Sequence, residues 1–306
     1  MKTKQHTLRS WVYAIKLASW PKIIVPAWLG LSIGWKYQEL QWESLIFSIF
    51  LAVFLVISIV LCNDWADIKV DTIKRKQFPH TCSPKTIPDR ILSIRSIKLA
   101  SFLSILGFLS IGCFYHQKDP DFIYLPFLAI LFIQSYSFSP LKLNYRGGGE
   151  WIETIGVGLL LPLLFLRATG LKTLPEEFLI ICAGAPSAMA SALASGLADE
   201  ESDRIGGKKT YTTSKGHLWV RDKVLLCIDL TSFMWIFIAY THTSMHTFFG
   251  ASYLIFCRHK LHQHASKTQT HKFKEIKTFK TSLHNSIWGS YSLISISIFL
   301  STCLKF

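Results

Sequence analysis

The chain predicts an all-α membrane protein, a single polytopic domain over residues 1–306 built from nine transmembrane helices. Three observations carry this. Half of the 306 residues are apolar, and ten are Trp. The apolar residues gather in runs near the 20 residues that an α-helix needs to cross a bilayer. Lys and Arg fall almost wholly on alternate connections between those runs, the pattern of cytoplasmic loops.

The predicted spans, in order, are 17–35, 44–64, 97–115, 122–138, 151–167, 177–198, 223–242, 246–257 and 286–304. The eighth is short and interrupted by His246, Thr247 and Gly250. With the N-terminus in the cytoplasm, 28 of the 33 Lys and Arg lie on that side. The other side holds only Lys36, Lys118, Arg167, Lys172 and Lys305. An odd number of spans then puts the C-terminus outside. The net charge of +14 is therefore topological, and it does not imply nucleic acid as a partner. The partner implied is the lipid bilayer, and the basic balance suits a bacterial inner membrane.

Other features narrow the class further. The seven Cys are scattered with no CxxC pair, so neither a disulfide frame nor a zinc site is expected. The basic N-terminus leads into an uncleaved first helix, with no short apolar region and small-residue cleavage site after it. The tail Cys303-Leu304-Lys305-Phe306 has the outline of a prenylation box, but Lys in its third place argues against one.

Two acidic clusters stand out, each directly after an apolar run. The first is Cys62-Asn63-Asp64-Trp65-Ala66-Asp67-Ile68-Lys69-Val70-Asp71. On a continuous helix Asn63, Asp67, Asp71 and Asp64 fall at about 0°, 40°, 80° and 100°, all on one face. Like charges so placed repel, and carboxylates beside hydrocarbon are costly unless paired or metal-bound. A hard cation such as Mg²⁺, which takes oxygen ligands, relieves both costs. The second cluster, Asp199-Glu200-Glu201-Ser202-Asp203-Arg204, follows the run 178–197, and Asp199 and Asp203 are spaced to share a helical face. Placed at the ends of the second and sixth helices, the clusters fit two four-helix halves plus a ninth helix. They would then face each other across one cytoplasmic cavity. Two acidic helix ends, each meeting basic loops, suggest a metal–diphosphate site.

The loops add candidates. Lys69, Lys74, Arg75, Lys76, Lys85, Arg90 and Arg95 follow the first cluster, and Lys85 sits in a Ser-Pro-Lys-Thr-Ile-Pro turn. Such side chains can hold a diphosphate, though positive-inside bias alone also accounts for them. The fourth span ends in Tyr136, Pro140 and the glycines Gly147, Gly148 and Gly149 before Glu150. The glycines let the chain turn tightly. Tyr136 is placed either to face a cavity or to sit in an interfacial belt. Residues 258–284 carry seven Lys or Arg and five His, and read as a basic segment on anionic lipid rather than a metal site.

These residues resemble a known family. Asn63-Asp64-x-x-Asp67-x-x-x-Asp71 is similar to the NDxxDxxxD signature of the UbiA superfamily of intramembrane prenyltransferases, and Asp199-x-x-x-Asp203-Arg204-x-x-Gly207-Lys208-x-Thr210 to its second motif. The stretches Tyr136–Glu150 and Lys85–Ser93 resemble the menaquinone branch, the 1,4-dihydroxy-2-naphthoate polyprenyltransferases. The resemblance implies a cavity open to lipid and two Mg²⁺ ions. Asn63, Asp64, Asp67 and Asp71 would form one metal group, and Asp199 and Asp203 the other. It implies Lys85, Arg204 and Lys208 as diphosphate contacts. Asp67, Asp199 and Tyr136 are the expected catalytic residues, Tyr136 near the acceptor or the cation. The substrates implied are a polyprenyl diphosphate and an aromatic acceptor.

Three positions depart from the resemblance. Trp20-Pro21-Lys22 stands where relatives often carry Arg-Pro-Lys, Ser195-Gly196-Leu197-Ala198 replaces Asn or Glu-Phe-Pro, and Arg90 replaces a glycine. They bear on the acceptor more than on the chemistry. 4-Hydroxybenzoate, heme and chlorin or tocopherol precursors are the alternative acceptors. An ion-coupled transporter is the alternative class, but its charges belong at helix midpoints rather than helix ends.

Overall fold

The computed structural model describes residues 7–80, 82–116, 119–242, 244–268 and 272–304. Lys118 and the last two residues of the tail, Lys305 and Phe306, therefore lie outside the described residues. Helices account for most of the described residues. A short N-terminal helix α1 (Leu8–Ala14) precedes α2 (Pro21–Tyr37) and α3 (Trp42–Ala66). Next come α4 (Ile68–Gln77), α5 (Ile94–His116), α6 (Tyr124–Ser137) and the single turn α7 (Leu143–Arg146). The helix α8 (Gly149–Ile155) passes through a π turn, Gly156–Leu160, into α9 (Leu161–Arg167). The second half holds α10 (Phe178–Leu197), α11 (Glu200–Gly206), α12 (Tyr211–Lys215), α13 (His217–Thr241), α14 (Met245–Lys267) and α15 (Phe273–Cys303).

All nine expected spans coincide with helices, but among the described residues six helices are long and apolar enough to cross a membrane. These are α3, α5, the α8–α9 segment, α10, α13 and α15. The other three fall short for separate reasons. α2 has 17 residues and α6 has 14. α14 is long enough, but its last three turns run Arg258-His259-Lys260 to Lys267.

The basic stretch 258–284 is not a separate surface segment. Residues 258–267 continue α14, and α15 begins at Phe273, well before the expected residue 286. The reason is a second apolar stripe hidden among the charges. Leu261 and Ala265 of α14 pack with Ile276, Phe279 and Leu283 of α15 at helical spacing. The two helices thus stay paired where their outer faces turn polar.

Two apolar cores organise the bundle. One joins Ile23 and Ala27 of α2 to Leu51 and Leu55 of α3, Phe108 of α5, Ala129 of α6 and Phe165 of α9. The other joins Ile180 and Ala190 of α10 to Val224 and Trp235 of α13, Leu254 of α14 and Tyr291 of α15. α2 also lends Leu29 and Ile33 to this second core, so it forms the seam. Polar side chains tie the helices together in the core. The Trp235 indole donates to the Ile180 carbonyl at 3.1 Å, and the Tyr291 hydroxyl to the Gly184 carbonyl at 2.8 Å.

The seam requires a glycine. A Cβ on Gly30 would stand 2.0 Å from the Pro162 carbonyl oxygen, so α2 and α9 touch backbone to backbone. Small residues permit such contacts between membrane helices. Gly30→Val is expected to destabilise the protein by about 1–3 kcal/mol or more through overpacking. A lowered unfolding temperature in detergent is the expected reading, and an unchanged one would contradict the seam.

Candidate active site

The site forms where α3 and α10 end. α3 stops at Asp67, whose backbone (φ −100°, ψ 13°) leaves the helix before α4 starts at Ile68. The chain still bonds through the break, Asp67 N–H to the Asn63 carbonyl at 2.9 Å and Asp71 N–H to the Asp67 carbonyl at 2.8 Å. The expected single helical face from Asn63 to Asp71 is thus corrected to two helices meeting at Asp67. In the second half, α10 ends at Leu197 and Asp199 becomes the residue preceding α11, which carries Asp203. α11 packs directly on α4. A Cβ on Gly206 would lie 2.3 Å from the Val70 side chain, so glycine permits the approach of the two motifs.

Asp64, Asp67, Asp71 and Asp203 are between 3% and 7% exposed, which makes their partners decisive. Every one of the five aspartates meets a lysine. Lys208 of the second motif donates to Asp67 of the first at 2.7 Å and lies 4.0 Å from Asp203. Lys74 of α4 reaches the other way, pairing with Asp199 and donating to the Ala198 carbonyl at 2.9 Å. Lys85 pairs with Asp71, and Lys16 with Asp64. The motifs are therefore joined by reciprocal lysine–carboxylate pairs.

The local field is finely balanced. Burial pushes the Asp203 carboxyl up to about 6, against the lowering effect of Lys208. Burial, together with the charges of Lys85 and Lys280, brings Lys74 down to about 7. Burial would also lower Lys208, but Asp67 and Asp203 outweigh it and raise the ammonium above its ordinary value.

The loop carrying Lys85 is held by Asp89. Its carboxylate accepts from Arg75 at 2.6 Å, from the Tyr13 hydroxyl at 2.5 Å and from the Lys85 backbone N–H at 3.1 Å. Burial acts to raise Asp89, but the Arg75 and Tyr13 hydrogen bonds prevail and hold it below the usual carboxylate range. Arg90 in the same loop has φ 55°, the left-handed region that glycine enters without a side-chain penalty. That is a conformational reason for a glycine at this position. The loop after α6 supports the other motif. Gly147 and Gly148 turn it at φ 95° and 94°. Glu150 then accepts the Tyr211 N–H at 2.7 Å, and the Tyr145 carbonyl accepts the Lys209 N–H at 3.2 Å.

Below the aspartates opens a cavity of about 590 Å³. Its polar end presents Lys16, Asn63, Lys85 and Asp199. Its side carries Tyr136, Lys22, Glu153, Ser195 and Lys280, and its far end is walled by Leu55, Ile59, Phe132, Ile133, Leu160 and Leu164. The π turn contributes Gly156 and Val157 to the wall. Such turns often mark functional sites.

The oxygen donors fit a hard cation. Asn63 Oδ1, Asp64 Oδ2 and Asp67 Oδ1 are buried without a hydrogen-bond partner among the described residues. No three His, Cys, Asp or Glu side chains among the described residues converge closely enough to hold a metal by themselves. Mg²⁺ does not require that, since it usually takes one or two carboxylates and completes its shell with water and substrate phosphate.

The structure brings Asn63, Asp64, Asp67, Asp71, Asp199, Asp203, Lys85, Lys208 and Tyr136 to one region. Arg204 is turned away. Its side chain is 64% exposed and binds Glu200 at 2.7 Å, because the residue after inward-facing Asp203 is rotated about 100° around α11. Lys16, Lys22 and Lys280 are the residues that sequence reasoning did not single out as site residues. Lys74 was among the basic residues named after the first cluster but was not preferred over Lys85, although it stands seven residues after Asp67 and so two turns along.

The profile of the UbiA prenyltransferase family matches residues 23–287. No functionally curated protein matches the chain. Solved structures agree in fold. A UbiA homologue from Archaeoglobus fulgidus bound to DMAPP and Mg²⁺ superposes with a TM-score of 0.69 at 12% identity, covering 92% of this chain and 99% of that one. A UbiA homologue from Aeropyrum pernix K1 gives 0.66 at 12% identity over 92% and 97%. A digeranylgeranylglyceryl phosphate synthase gives 0.59 at 15% identity over 95% and 99%. The fold, the paired aspartate motifs and the profile match over most of the length lead to one conclusion: this chain is a member of the UbiA prenyltransferase family, a family of transferases.

Proposed function

We propose that the chain transfers a polyprenyl group from a polyprenyl diphosphate to an aromatic acceptor, with Mg²⁺, and that the acceptor is 1,4-dihydroxy-2-naphthoate. The observation that carries this reading is the convergence of two aspartate motifs, with their lysines, on the polar end of a cavity that also has an apolar wall of Leu55, Ile59, Phe132 and Leu164. Relatives of the same fold were solved with DMAPP or GPP and Mg²⁺. The loops Lys85–Ser93 and Tyr136–Glu150 support the naphthoate, because they resemble the menaquinone branch. All nine helices span the membrane in this reading. The N-terminus and both motifs face the cytoplasm, in keeping with the clustering of Lys and Arg. A bacterial inner membrane fits that orientation.

The residues divide the work. Asn63, Asp64, Asp67 and Asp71 hold metal on one side and Asp199 and Asp203 on the other. Mg²⁺ held there would supply Lewis acidity, neutralising the diphosphate and favouring C–O cleavage. Lys85, Lys208, Lys74 and Lys16 need not remain bound to the carboxylates, and their ammoniums can donate to diphosphate oxygens. Leu55, Ile59, Phe132 and Leu164 keep water from the prenyl chain, which protects an allylic cation from hydrolysis. Tyr136 offers an aromatic ring beside the reacting carbon, where a π face steadies positive charge. The acceptor ring attacks that carbon, and the ring position reforms its aromatic system by losing a proton or, for the naphthoate, its carboxylate as CO₂.

The defining experiment supplies purified protein in lipid with Mg²⁺, a radiolabelled polyprenyl diphosphate and either 1,4-dihydroxy-2-naphthoate or 4-hydroxybenzoate. A lipid-soluble product with the naphthoate alone, lost with EDTA, is expected. Product with the benzoate alone would move the acceptor and leave prenyl transfer intact. Asp67→Asn and Asp199→Asn are each expected to abolish turnover, and full activity in either would remove the metal assignment. Gly206→Val is expected to lower kcat about tenfold or more by parting α11 from α4, since small misplacements of catalytic groups carry large rate costs. Unchanged kcat would show that their close packing does not set the site.

A further inference from the structure

We propose that Lys280 is a specificity-determining residue of this cavity, the group that holds the carboxylate of an aromatic acid acceptor. The inference rests on the reading of the cavity as a site of prenyl transfer.

Lys280 lies near the cytoplasmic end of α15 and lines the cavity together with Lys22, Glu153 and Ser195. Its ammonium donates to the Ser195 carbonyl at 3.4 Å, and no carboxylate among the described residues pairs with it. Lys22 is differently placed, since it pairs with Glu153 and lies 3.5 Å from the Ser195 hydroxyl. The side of the cavity thus presents two ammoniums against one carboxylate. Glu153 pairs with Lys22, which leaves the Lys280 ammonium with a backbone carbonyl as its one hydrogen-bond acceptor among the described residues. A cation withdrawn from water is costly until an anion joins it.

The diphosphate is not that anion. Its level is set by the aspartates, where Lys16, Lys74, Lys85 and Lys208 already stand. Ser195 precedes Asp199 by four residues, so Lys280 is anchored about one helical turn, roughly 5 Å, deeper along α10. That is the depth at which an acceptor ring must approach the first carbon of the prenyl chain. A ring bearing a carboxylate satisfies Lys280 there, whereas a neutral ring leaves the ammonium unmatched. Ser195, which stands at one of the departures from the family pattern, lines the same part of the wall with Lys22.

The test compares wild type, Lys280→Gln and Lys280→Arg in lipid with Mg²⁺ and a polyprenyl diphosphate. Turnover is read with 1,4-dihydroxy-2-naphthoate, and its methyl ester, which cannot lose CO₂, is used only as a binding ligand followed by tryptophan quenching. Lys280→Gln is expected to raise KM for the acid by about tenfold or more, the weight of a hydrogen bond to a charged group. It leaves KM for the diphosphate within about twofold and erases the preference in binding for acid over ester, while Lys280→Arg retains that preference. An unchanged KM for the acid, or an equal rise in KM for the diphosphate, overturns the assignment. So does tighter binding of the ester than of the acid by wild type, with prenyl transfer itself left standing. If wild type does not turn over the acid, the prenyl-transfer reading has failed separately. Binding of the acid, followed by tryptophan quenching, then decides the role of Lys280: weaker binding in Lys280→Gln supports it, and equal binding overturns it.

Discussion

The structure depends on burying like charges at the junction of two helix ends. Five aspartates meet at the ends of α3 and α10, and four of them are almost wholly buried. Buried carboxylates at such density repel one another and lose hydration. Lysines resolve this, and two of them cross between the motifs. Lys208 binds Asp67, and Lys74 binds Asp199. The pairs thereby fix the relative position of the two motifs at the mouth of the cavity. They also leave the site ready for exchange, because a lysine bound to a carboxylate and a lysine bound to a phosphate are interchangeable by charge.

The remainder of the bundle serves that junction. α2 contributes to both apolar cores and contacts α9 through Gly30, so the cavity between the halves has a fixed width. Gly206 brings α11 against α4 and so sets the distance between the motifs. Asp89 pins the loop that delivers Lys85, and Glu150 caps the helix that follows Lys208. The cavity then passes from charged to apolar along its length, which matches a substrate with a charged head and a hydrocarbon tail.

Much of this was legible in the sequence, for physical reasons that differ by region. Apolar runs located the helices at all nine expected spans, because hydrocarbon imposes the same length and polarity on any span, and six of those helices are long and apolar enough to cross a membrane among the described residues. The aspartates were legible since carboxylates beside apolar runs are costly and demand an explanation. The break at Asp67 was not, because no Gly or Pro marks it. The extension of α14 to Lys267 and the start of α15 at Phe273 were obscured by charge, which hid the stripe of Leu261, Ala265, Ile276, Phe279 and Leu283. Lys16, Lys22 and Lys280 were indistinguishable from ordinary cytoplasmic lysines, since only tertiary packing brings three distant segments to one cavity. Arg204 sits within the second motif, yet its place on α11 turns it to solvent.

The most direct test of the account is the Mg²⁺ dependence of polyprenyl diphosphate binding, measured by calorimetry on the purified protein in lipid with no acceptor present. The account predicts that binding saturates with Mg²⁺, is lost in EDTA, and is abolished in a protein carrying both Asp67→Asn and Asp199→Asn. Equal affinity with Mg²⁺ and with EDTA would show that the lysines alone hold the diphosphate, and would contradict the assignment of the two aspartate motifs as metal sites.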